Sequence, residues 1–347
     1  MKLVLAPMEG LTDAPMRALL TSMGGFDWCV SEFIRINDTL LPARVFRRYV
    51  PEHANGFRTA AGTPVHVQLL GSDPACIADN AAVAAAMGAP AIDLNFGCPA
   101  KTVNRHRGGA VLLDEPELLH AIVSAVRRAV PAQVPVSAKM RLGYRDRSRL
   151  ADNTHALATA GAAWITVHAR TKEDGYRPPA YWHEIARVRE HAGAVPVIAN
   201  GEVWTPADHA RCRAESGCAD VMLGRGAVAS PGLARAIRQR HAGGAADTLP
   251  PWRELVEAQC GFVQADDVVG DQAATGRYKG WLAFLSRTYI EAEALLPVIR
   301  RMRTRTEVIA AIRASAGPAA QGDAAGAGVV AAGTAVSGAV AAGGFIN

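Results

Sequence analysis

The chain has 347 residues, long enough for one large barrel with an appended unit or for two domains. Half of the residues are hydrophobic and a fifth are charged, which excludes a wholly disordered chain. The net charge of +5 permits a polyanionic partner without requiring one, and six scattered cysteines predict neither a metal site nor a disulfide framework.

Short apolar segments alternate with helical stretches along the first two thirds of the chain. Eight strands are predicted, at Leu3–Ala6, Trp28–Phe33, Val65–Leu70, Ala91–Leu94, Val134–Lys139, Trp164–His168, Val195–Ala199 and Asp220–Leu223. Helices are predicted between them, among others at Asp73–Met87, Glu115–Val130 and Pro206–Glu215. Eight such units favour an α/β fold of the TIM (β/α)8 barrel type, and an open doubly wound sheet is the alternative.

After Arg240 the strand pattern stops. Helices with basic faces are predicted at Trp252–Val268, Thr275–Arg287 and Thr304–Ala314. The sequence therefore predicts a barrel domain over residues 1–242 and a small all-α domain over 243–315, followed by a disordered Gly/Ala-rich tail over 316–347. Ala and Gly insert weakly into bilayers, so a membrane anchor in this tail is disfavoured. Because a strand begins at Leu3, we expect no export signal and a cytoplasmic protein.

Cys98 is the most informative single residue. It lies in the segment Asn95–Lys101, directly after an apolar strand, where barrel enzymes carry their chemistry. Near its ordinary pKa of about 8.5 a thiol is mostly protonated at neutral pH and can act as a general acid. Two alternatives are a nucleophilic Cys98 activated by His106 and a Cys98 that only packs as a small hydrophobe.

Polar residues follow most of the predicted strands, so they should meet at one mouth of the barrel. They are Met8, Glu9, Gln68, Asn95, Cys98, Lys139, Arg141, His168, Arg170, Asn200, Gly201, Glu202, Gly224, Arg225 and Gly226. Barrels often hold a phosphate with the loops after strands seven and eight, where Gly201, Gly224 and Arg225 stand. The chain has neither a dinucleotide fingerprint nor a P-loop, and flavin mononucleotide (FMN) fits better. Lys139 and Gln68 could then contact the isoalloxazine ring.

Seven motifs at these positions resemble, in order, those of the tRNA-dihydrouridine synthases. They are Ala6–Gly10, Val67–Gly71, Asn95–Pro99, Lys139–Gly143, His168–Thr171, Ala199–Glu202 and Gly224–Gly226. The resemblance covers about residues 1–314. It implies an FMN-containing barrel with a helical tRNA-binding domain, which uses NADPH to reduce a uridine of tRNA.

The resemblance also implies roles for single residues. Hydride would pass from reduced FMN to C6 of the uracil, and Cys98 would protonate C5. Asn95 and Arg141 would face the uracil. The flavin contacts would be Pro7, Met8, Glu9, Gln68, Lys139, His168, Asn200, Gly201, Glu202, Gly224 and Arg225.

Within the family, the segments Ser31–Arg35 and Arg170–Tyr176 resemble the bacterial subgroup that acts on position 16 of the D-loop. Further tRNA contacts implied by this resemblance are Arg35, Tyr176, Arg277, Lys279 and Arg300; their alternative is a solvated basic surface. Ala273–Thr275 and Phe284 depart from the subgroup's pattern, which leaves uridine 17 or 20 as alternative targets.

Two functions outside tRNA reduction compete with this interpretation. An FMN barrel could reduce a free pyrimidine, but the basic helical appendage argues against that. A catalytically inactive RNA-binding or chaperone protein is the third hypothesis, and the intact Cys98 and flavin positions argue against it. We expect a monomer that needs no protein partner.

Overall fold

The computed structural model describes residues 1–244, 249–265 and 269–317. The chain divides into two compact units, Met1–Leu249 and Pro250–Asn347, whereas the sequence predicts a boundary after residue 242. The predicted tail lies outside the described residues from position 318 onward.

The described part of the first unit contains nine parallel strands in one sheet. They are β1 (Leu3–Leu5), β2 (Trp28–Val30), β3 (Ile34–Arg35), β4 (Val65–Leu70), β5 (Ile92–Phe96), β6 (Val136–Arg141), β7 (Ile165–His168), β8 (Val197–Asn200) and β9 (Asp220–Leu223). The order is β2-β1-β9-β8-β7-β6-β5-β4-β3, and an additional pairing of β2 with β4 closes the sheet. The predicted TIM barrel is therefore confirmed, with β1 joined to both β2 and β9.

The predicted second strand, Trp28–Phe33, is shorter in the structure, where β2 ends at Val30 and a separate strand, β3, begins at Ile34, beyond the predicted end. Val30 pairs with His66 but Ile34 pairs with Leu69, so the first segment contains one more residue than the strand opposite. The Ser31 hydroxyl accepts a backbone N–H of β4 at 3.1 Å, which replaces a ladder partner inside this irregular stretch. Such a bulge bends a strand and redirects the side chains that follow. The strand pattern did not reveal it, because the offset arises from pairing with residues of β4 that are distant in sequence.

The helices of the barrel unit cover its outer face. They are α1 (Ala14–Ser22), α2 (Ala43–Tyr49), α3 (Pro74–Ala86), α4 (Lys101–Arg105), α5 (Pro116–Ala129), α6 (Leu150–Thr159), α7 (Trp182–Ala192), α8 (Pro206–Ser216), α9 (Arg225–Ala229) and α10 (Leu233–His241). Asp13 and Asp73 accept backbone N–H groups at the starts of α1 and α3, and Thr205 forms a capping box at the start of α8. These side chains satisfy N–H groups that have no partner within the helix.

An apolar cluster fills the barrel below the strand ends. It consists of Val4, Ala6, Val30, Ile198 and Met222. Successive inward-facing residues are two positions apart on a strand. Met8, Asn200 and Gly224, two positions after Ala6, Ile198 and Met222, therefore reach the mouth of the barrel.

The second unit is helical throughout its described part. Its helices are α11 (Trp252–Gln264), α12 (Asp271–Leu285), α13 (Ile290–Ile299) and α14 (Arg305–Ala314). The sequence analysis missed α13, which contains Pro297 and is apolar around much of its circumference. Trp281 packs edge-on against Phe262 and Tyr278, and forms the centre of this small core. Within the described residues, no helix is both long and apolar enough to cross a bilayer.

Candidate active site

A cavity of about 400 Å³ lies at the carboxyl ends of the barrel strands. This volume is within the range of ligand pockets, roughly 300–1,000 Å³. The predicted site residues on its wall are Pro7, Met8, Glu9, Gln68, Asn95, Cys98, Lys139, Arg141, His168, Tyr176, Asn200, Gly201, Glu202, Gly224 and Arg225. The structure thus brings Cys98 and all eleven residues predicted to hold the flavin together around one space.

Strand register explains why distant residues meet here. Asn95 is paired with Lys139 on the next strand, and His168 is paired with both Arg141 and Asn200 on its two sides. In a parallel sheet, paired residues lie side by side at the same level. Asn95 and Lys139 therefore lie at one level, and Arg141, His168 and Asn200 lie at another. All four strands thus present polar side chains to the cavity.

Cys98 lies on the cavity wall with 9% of its surface exposed. Its side chain packs with Phe33, Leu70 and Val103. Burial raises the pKa of the Cys98 thiol above its usual value, although the N–H of Ala100 acts in the opposite direction. The thiol therefore stays protonated at neutral pH, which suits a proton donor better than a nucleophile.

His106, the base in the competing nucleophile hypothesis, lies elsewhere. It is exposed and lines a second cavity of about 230 Å³, together with Arg35. The wall of the Cys98 cavity contains His168 instead. Burial, together with repulsion from Arg141 and Lys139, holds the pKa of His168 well below its usual range. His168 is therefore a neutral hydrogen-bonding group at neutral pH.

Asn95 and Arg141 are largely engaged in holding the loops around Cys98. The Asn95 side chain accepts the backbone N–H groups of Gly97 and Cys98, both at 2.9 Å. The Arg141 guanidinium donates to the carbonyls of Gly97, Thr171 and Gly175 at 2.8–3.0 Å. Both side chains reach the cavity, so the residues that the resemblance assigns to the uracil also build the loops beside it.

Lys139 is the cationic side chain of the cavity wall that is best suited to contact a ligand. Burial, with repulsion from Arg141, lowers the pKa of Lys139 to about 8. Asp93 and Cys98 act in the opposite direction. No residue in the described ranges accepts a hydrogen bond from the Lys139 ammonium, which faces the cavity. A desolvated ammonium is costly without an acceptor, so its site fits an electron-rich ligand.

The loop after β8 is tightly constrained. Gly201 has φ of +118°, and a Cβ there would stand 2.8 Å from His168 Cδ2. Glu202 has φ of 58°, an uncommon backbone conformation for a residue with a side chain. Burial opposes ionisation of Glu202, but hydrogen bonds from Arg170 and Trp204 outweigh it and lower the pKa of this carboxylate. Such local constraint is typical of functional sites.

Two guanidinium groups share the Glu202 carboxylate. Arg170, whose side chain is fully buried, forms an ion pair with it, and Arg225 approaches it to 3.4 Å. Arg225 also lies 4.7 Å from the Tyr176 ring centroid, and Arg141 lies 5.2 Å from the same ring. Tyr176 is half exposed on the cavity wall, where its ring packs against both guanidinium groups.

The remaining predicted tRNA contacts lie outside this cavity. Arg35 ends β3 and lines the second cavity. In the helical unit, Arg277 and Lys279 belong to α12, and Arg300 caps α13. The Lys279 ammonium donates to the carbonyls of Arg300 at 3.3 Å and Met302 at 2.6 Å, so it satisfies the end of α13. The sequence did not predict this structural role.

Several residues of the site were not among those predicted from the sequence. Phe33 and Trp204 line the cavity, and Asp93 lies beneath it. The available signal for Asp93 was its position two residues before Asn95, on the inward face of a strand that is otherwise apolar. Phe33 stands in the segment Ser31–Arg35 that resembles the subgroup, but no role was predicted for it. For Trp204 no signal existed, because an aromatic residue near a strand end is usually part of the core.

Solved structures share this fold at low sequence identity. Histamine dehydrogenase from Rhizobium sp. 4-9 superimposes with a TM-score of 0.52 at 13% identity, over 70% of this chain and 46% of its own. The 6-hydroxypseudooxynicotine amine oxidase from Pseudomonas geniculata N1 gives 0.52 at 13% identity, over 69% of this chain and 47% of its own. The chain spans about half the length of these two proteins, and the likeness supports the barrel fold alone.

Sequence comparison is more specific. The family described as dihydrouridine synthase (Dus) matches residues 4–265. A tRNA-dihydrouridine(16) synthase of Aquipseudomonas alcaligenes is 58% identical over 302 residues, which are 87% of this chain and 95% of that protein. One of Ralstonia nicotianae is 53% identical over 312 residues, 90% of this chain and 95% of that protein. The chain therefore belongs to the dihydrouridine synthase family of oxidoreductases.

Proposed function

We propose that this protein is a tRNA-dihydrouridine synthase that reduces the C5–C6 double bond of uridine 16 in the D-loop, with bound FMN and with NADPH as reductant. The observation that carries the proposal is a protonated, nearly buried thiol, Cys98, on the same cavity wall as the Lys139 cation. The 53–58% identity to proteins named tRNA-dihydrouridine(16) synthase supports the position.

The cavity residues fit a flavin. Lys139 offers an ammonium with no acceptor in the described ranges, and His168 offers a neutral imidazole beside it. Gly201 and Gly224 keep the backbone free of side chains in the part of the cavity wall that contains Arg225. We assign the ring to the Lys139 side and the phosphate to the Arg225 side. When bound, a reduced flavin supplies the hydride, and the protein supplies position and electrostatics.

Cys98 supplies the proton in this proposal. Reduction of a uracil needs a hydride at C6 and a proton at C5, and the raised pKa of the thiol keeps that proton available at neutral pH. After donation the thiolate regains a proton from water, since 9% of the residue remains exposed. Arg141 holds the carbonyl of Gly97 and thereby fixes the loop on which Cys98 stands.

The target uracil must be flipped out of the base stack of the tRNA to enter the cavity. Extruding a nucleotide costs a few kcal/mol, which backbone contacts elsewhere on the RNA offset. We assign such contacts to Arg35, Tyr176, Arg277, Lys279 and Arg300. Lys279 uses two carbonyls of the α13 end, and an ammonium has three donors, so one N–H remains for a phosphate.

The decisive experiment is to incubate the purified protein with NADPH and unmodified tRNA and to locate dihydrouridine by mass mapping of nuclease fragments. Dihydrouridine at position 16 is the expected result, with free uridine as a parallel substrate that should not react. Product at position 17 or 20 would contradict the position but retain the reaction. Reduction of a free pyrimidine without any tRNA product would overturn the proposal in favour of a small-molecule reductase.

The same experiment distinguishes the proposed enzyme from a protein that only binds RNA. Such a protein would bind tRNA without forming product, and it would show no flavin absorbance after purification. The Cys98→Ala variant is the matched control, because it should keep the flavin spectrum and tRNA binding while losing product.

A further inference from the structure

A row of side-chain hydrogen bonds begins beneath the cavity at Asp93, continues through two residues of the cavity wall, and ends at the backbone of Cys98. The Gln68 amide nitrogen donates to Asp93 at 2.6 Å, and the Gln68 amide oxygen accepts the Asn95 amide nitrogen at 2.8 Å. The Asn95 oxygen in turn accepts the N–H groups of Gly97 and Cys98 at 2.9 Å. The side chains of Gln68 and Asn95 thus connect the Asp93 carboxylate to the turn that carries the thiol.

The polarity of this row is fixed at both ends. An ionised carboxylate can only accept hydrogen bonds, and a backbone N–H can only donate. Between them the two amides fit in one orientation, since a flip of Gln68 would set its NH2 group against that of Asn95. An unpaired buried donor costs about 1–3 kcal/mol, enough to keep one orientation dominant.

Asp93 is the acceptor at the barrel end of the row. Its side chain is 1% exposed, and its second oxygen accepts the Ser137 hydroxyl at 2.6 Å. Burial raises the pKa of Asp93, while hydrogen bonds from Gln68 and Ser137 and the charge of Lys139 favour ionisation. Both oxygens act as acceptors, so the carboxylate fulfils the requirement of the row. Asp93 does not line the cavity, which separates it from the ligand contacts.

We propose that Asp93 is a positioning residue: by accepting from Gln68 it fixes the amide orientations of Gln68 and Asn95 and thereby the turn that aims the Cys98 thiol. The inference rests on the proposed function, because it assigns the purpose of the turn to proton transfer. It adds a residue that acts without touching the substrate or the flavin.

The test compares three variants of the full-length protein. Asp93→Asn keeps an acceptor for Gln68, since the new amide can donate to the Ser137 hydroxyl and accept from Gln68. Asp93→Leu removes the acceptor and retains apolar volume. Ser137→Ala is the matched control, because it removes the other hydrogen bond to Asp93 and leaves the row intact.

Two readouts are measured on each variant. The first is the rate at which iodoacetamide alkylates Cys98, followed by peptide mass spectrometry, which requires no turnover. The second is kcat and KM for tRNA. Asp93→Leu should alkylate several-fold faster, because the turn is released, and should lose up to about 100-fold in kcat with KM for tRNA unchanged, as expected for a misplaced catalytic group. Asp93→Asn and Ser137→Ala should stay close to the unmodified protein in both.

If Asp93→Leu does not fold, Gln68→Met breaks the row one step later while Asp93 remains bonded to Ser137. It should accelerate Cys98 alkylation by the same factor. Where both fold, the double variant should show no further increase, because the two changes interrupt one row. Unchanged alkylation in Asp93→Leu or in Gln68→Met would overturn the inference, as would equal effects of Asp93→Asn and Asp93→Leu. Absence of dihydrouridine formation by the unmodified protein would refute the proposed function instead, and the alkylation comparison would still test the row.

Discussion

Replacing Cys98 by alanine separates catalysis from folding. General acid catalysis contributes about 10²- to 10⁴-fold, so turnover should fall by that factor. The loss corresponds to about 3–5 kcal/mol in the barrier. Stability should change far less, because the thiol packs with Phe33, Leu70 and Val103 and removing one buried group of this size costs about 1 kcal/mol. In a domain of this size that is a Tm decrease of roughly 2–4 °C.

The assay is single-turnover formation of dihydrouridine by pre-reduced enzyme, with the flavin spectrum, Tm and tRNA affinity measured on the same preparation. Cys76→Ala is the matched control, since Cys76 lies on α3 and away from the cavity wall, and its turnover should be unchanged. The reasoning would be refuted if Cys98→Ala retained turnover within about tenfold of the unmodified protein, because a proton donor is worth more than that.

Three further outcomes follow from the geometry. Gly201→Ala should cost about 1–3 kcal/mol of stability and release flavin on gel filtration. Gly193→Ala is the control, because its φ of +61° also strains a side chain but its surroundings are open. Equal losses of flavin in the two variants would contradict a clash between the new Cβ and His168 as the cause. Because the pKa of the Cys98 thiol is raised, its thiolate forms only at high pH. Alkylation of Cys98 in the unmodified protein should therefore reach half its maximal rate above about pH 8.5. A midpoint at lower pH would show an activated nucleophile instead. Lys279→Ala should reduce the salt slope of tRNA binding by about 1 and also lower Tm, since its ammonium satisfies the end of α13; an unchanged salt slope would leave it a purely structural role.

The fold was predictable because its signals are local. Each strand is a short apolar run, and helices such as the one after Asp73 begin at a side chain that can cap them. The bulge between β2 and β3 was not predictable, because its cause is the pairing of Ile34 with a strand distant in sequence. Helix α13 was missed because its apolar residues lack the contrast between two faces on which helix prediction depends.

The site could be predicted as a set of residues but not as a set of interactions. Strand ends identify which side chains reach the mouth of a barrel, and every predicted flavin residue lines the cavity. The sequence does not say which polar atoms are already engaged. Arg141 donates to three carbonyls, and Lys279 caps a helix, so part of their hydrogen-bonding capacity belongs to the protein. Such assignments depend on contacts between residues far apart in the chain.

The pairing of β1 with β9 bears on how the protein is made. Leu3 pairs with Val221, so β1 lacks one of its two neighbours until β9 has been synthesised. Pairing between residues so far apart slows folding and leaves strand edges exposed to other chains meanwhile. Met8 follows β1 and Arg225 follows β9, and both line the cavity beside this seam. A ligand that contacts both therefore binds only after closure, and its retention reports that the nascent barrel has been completed.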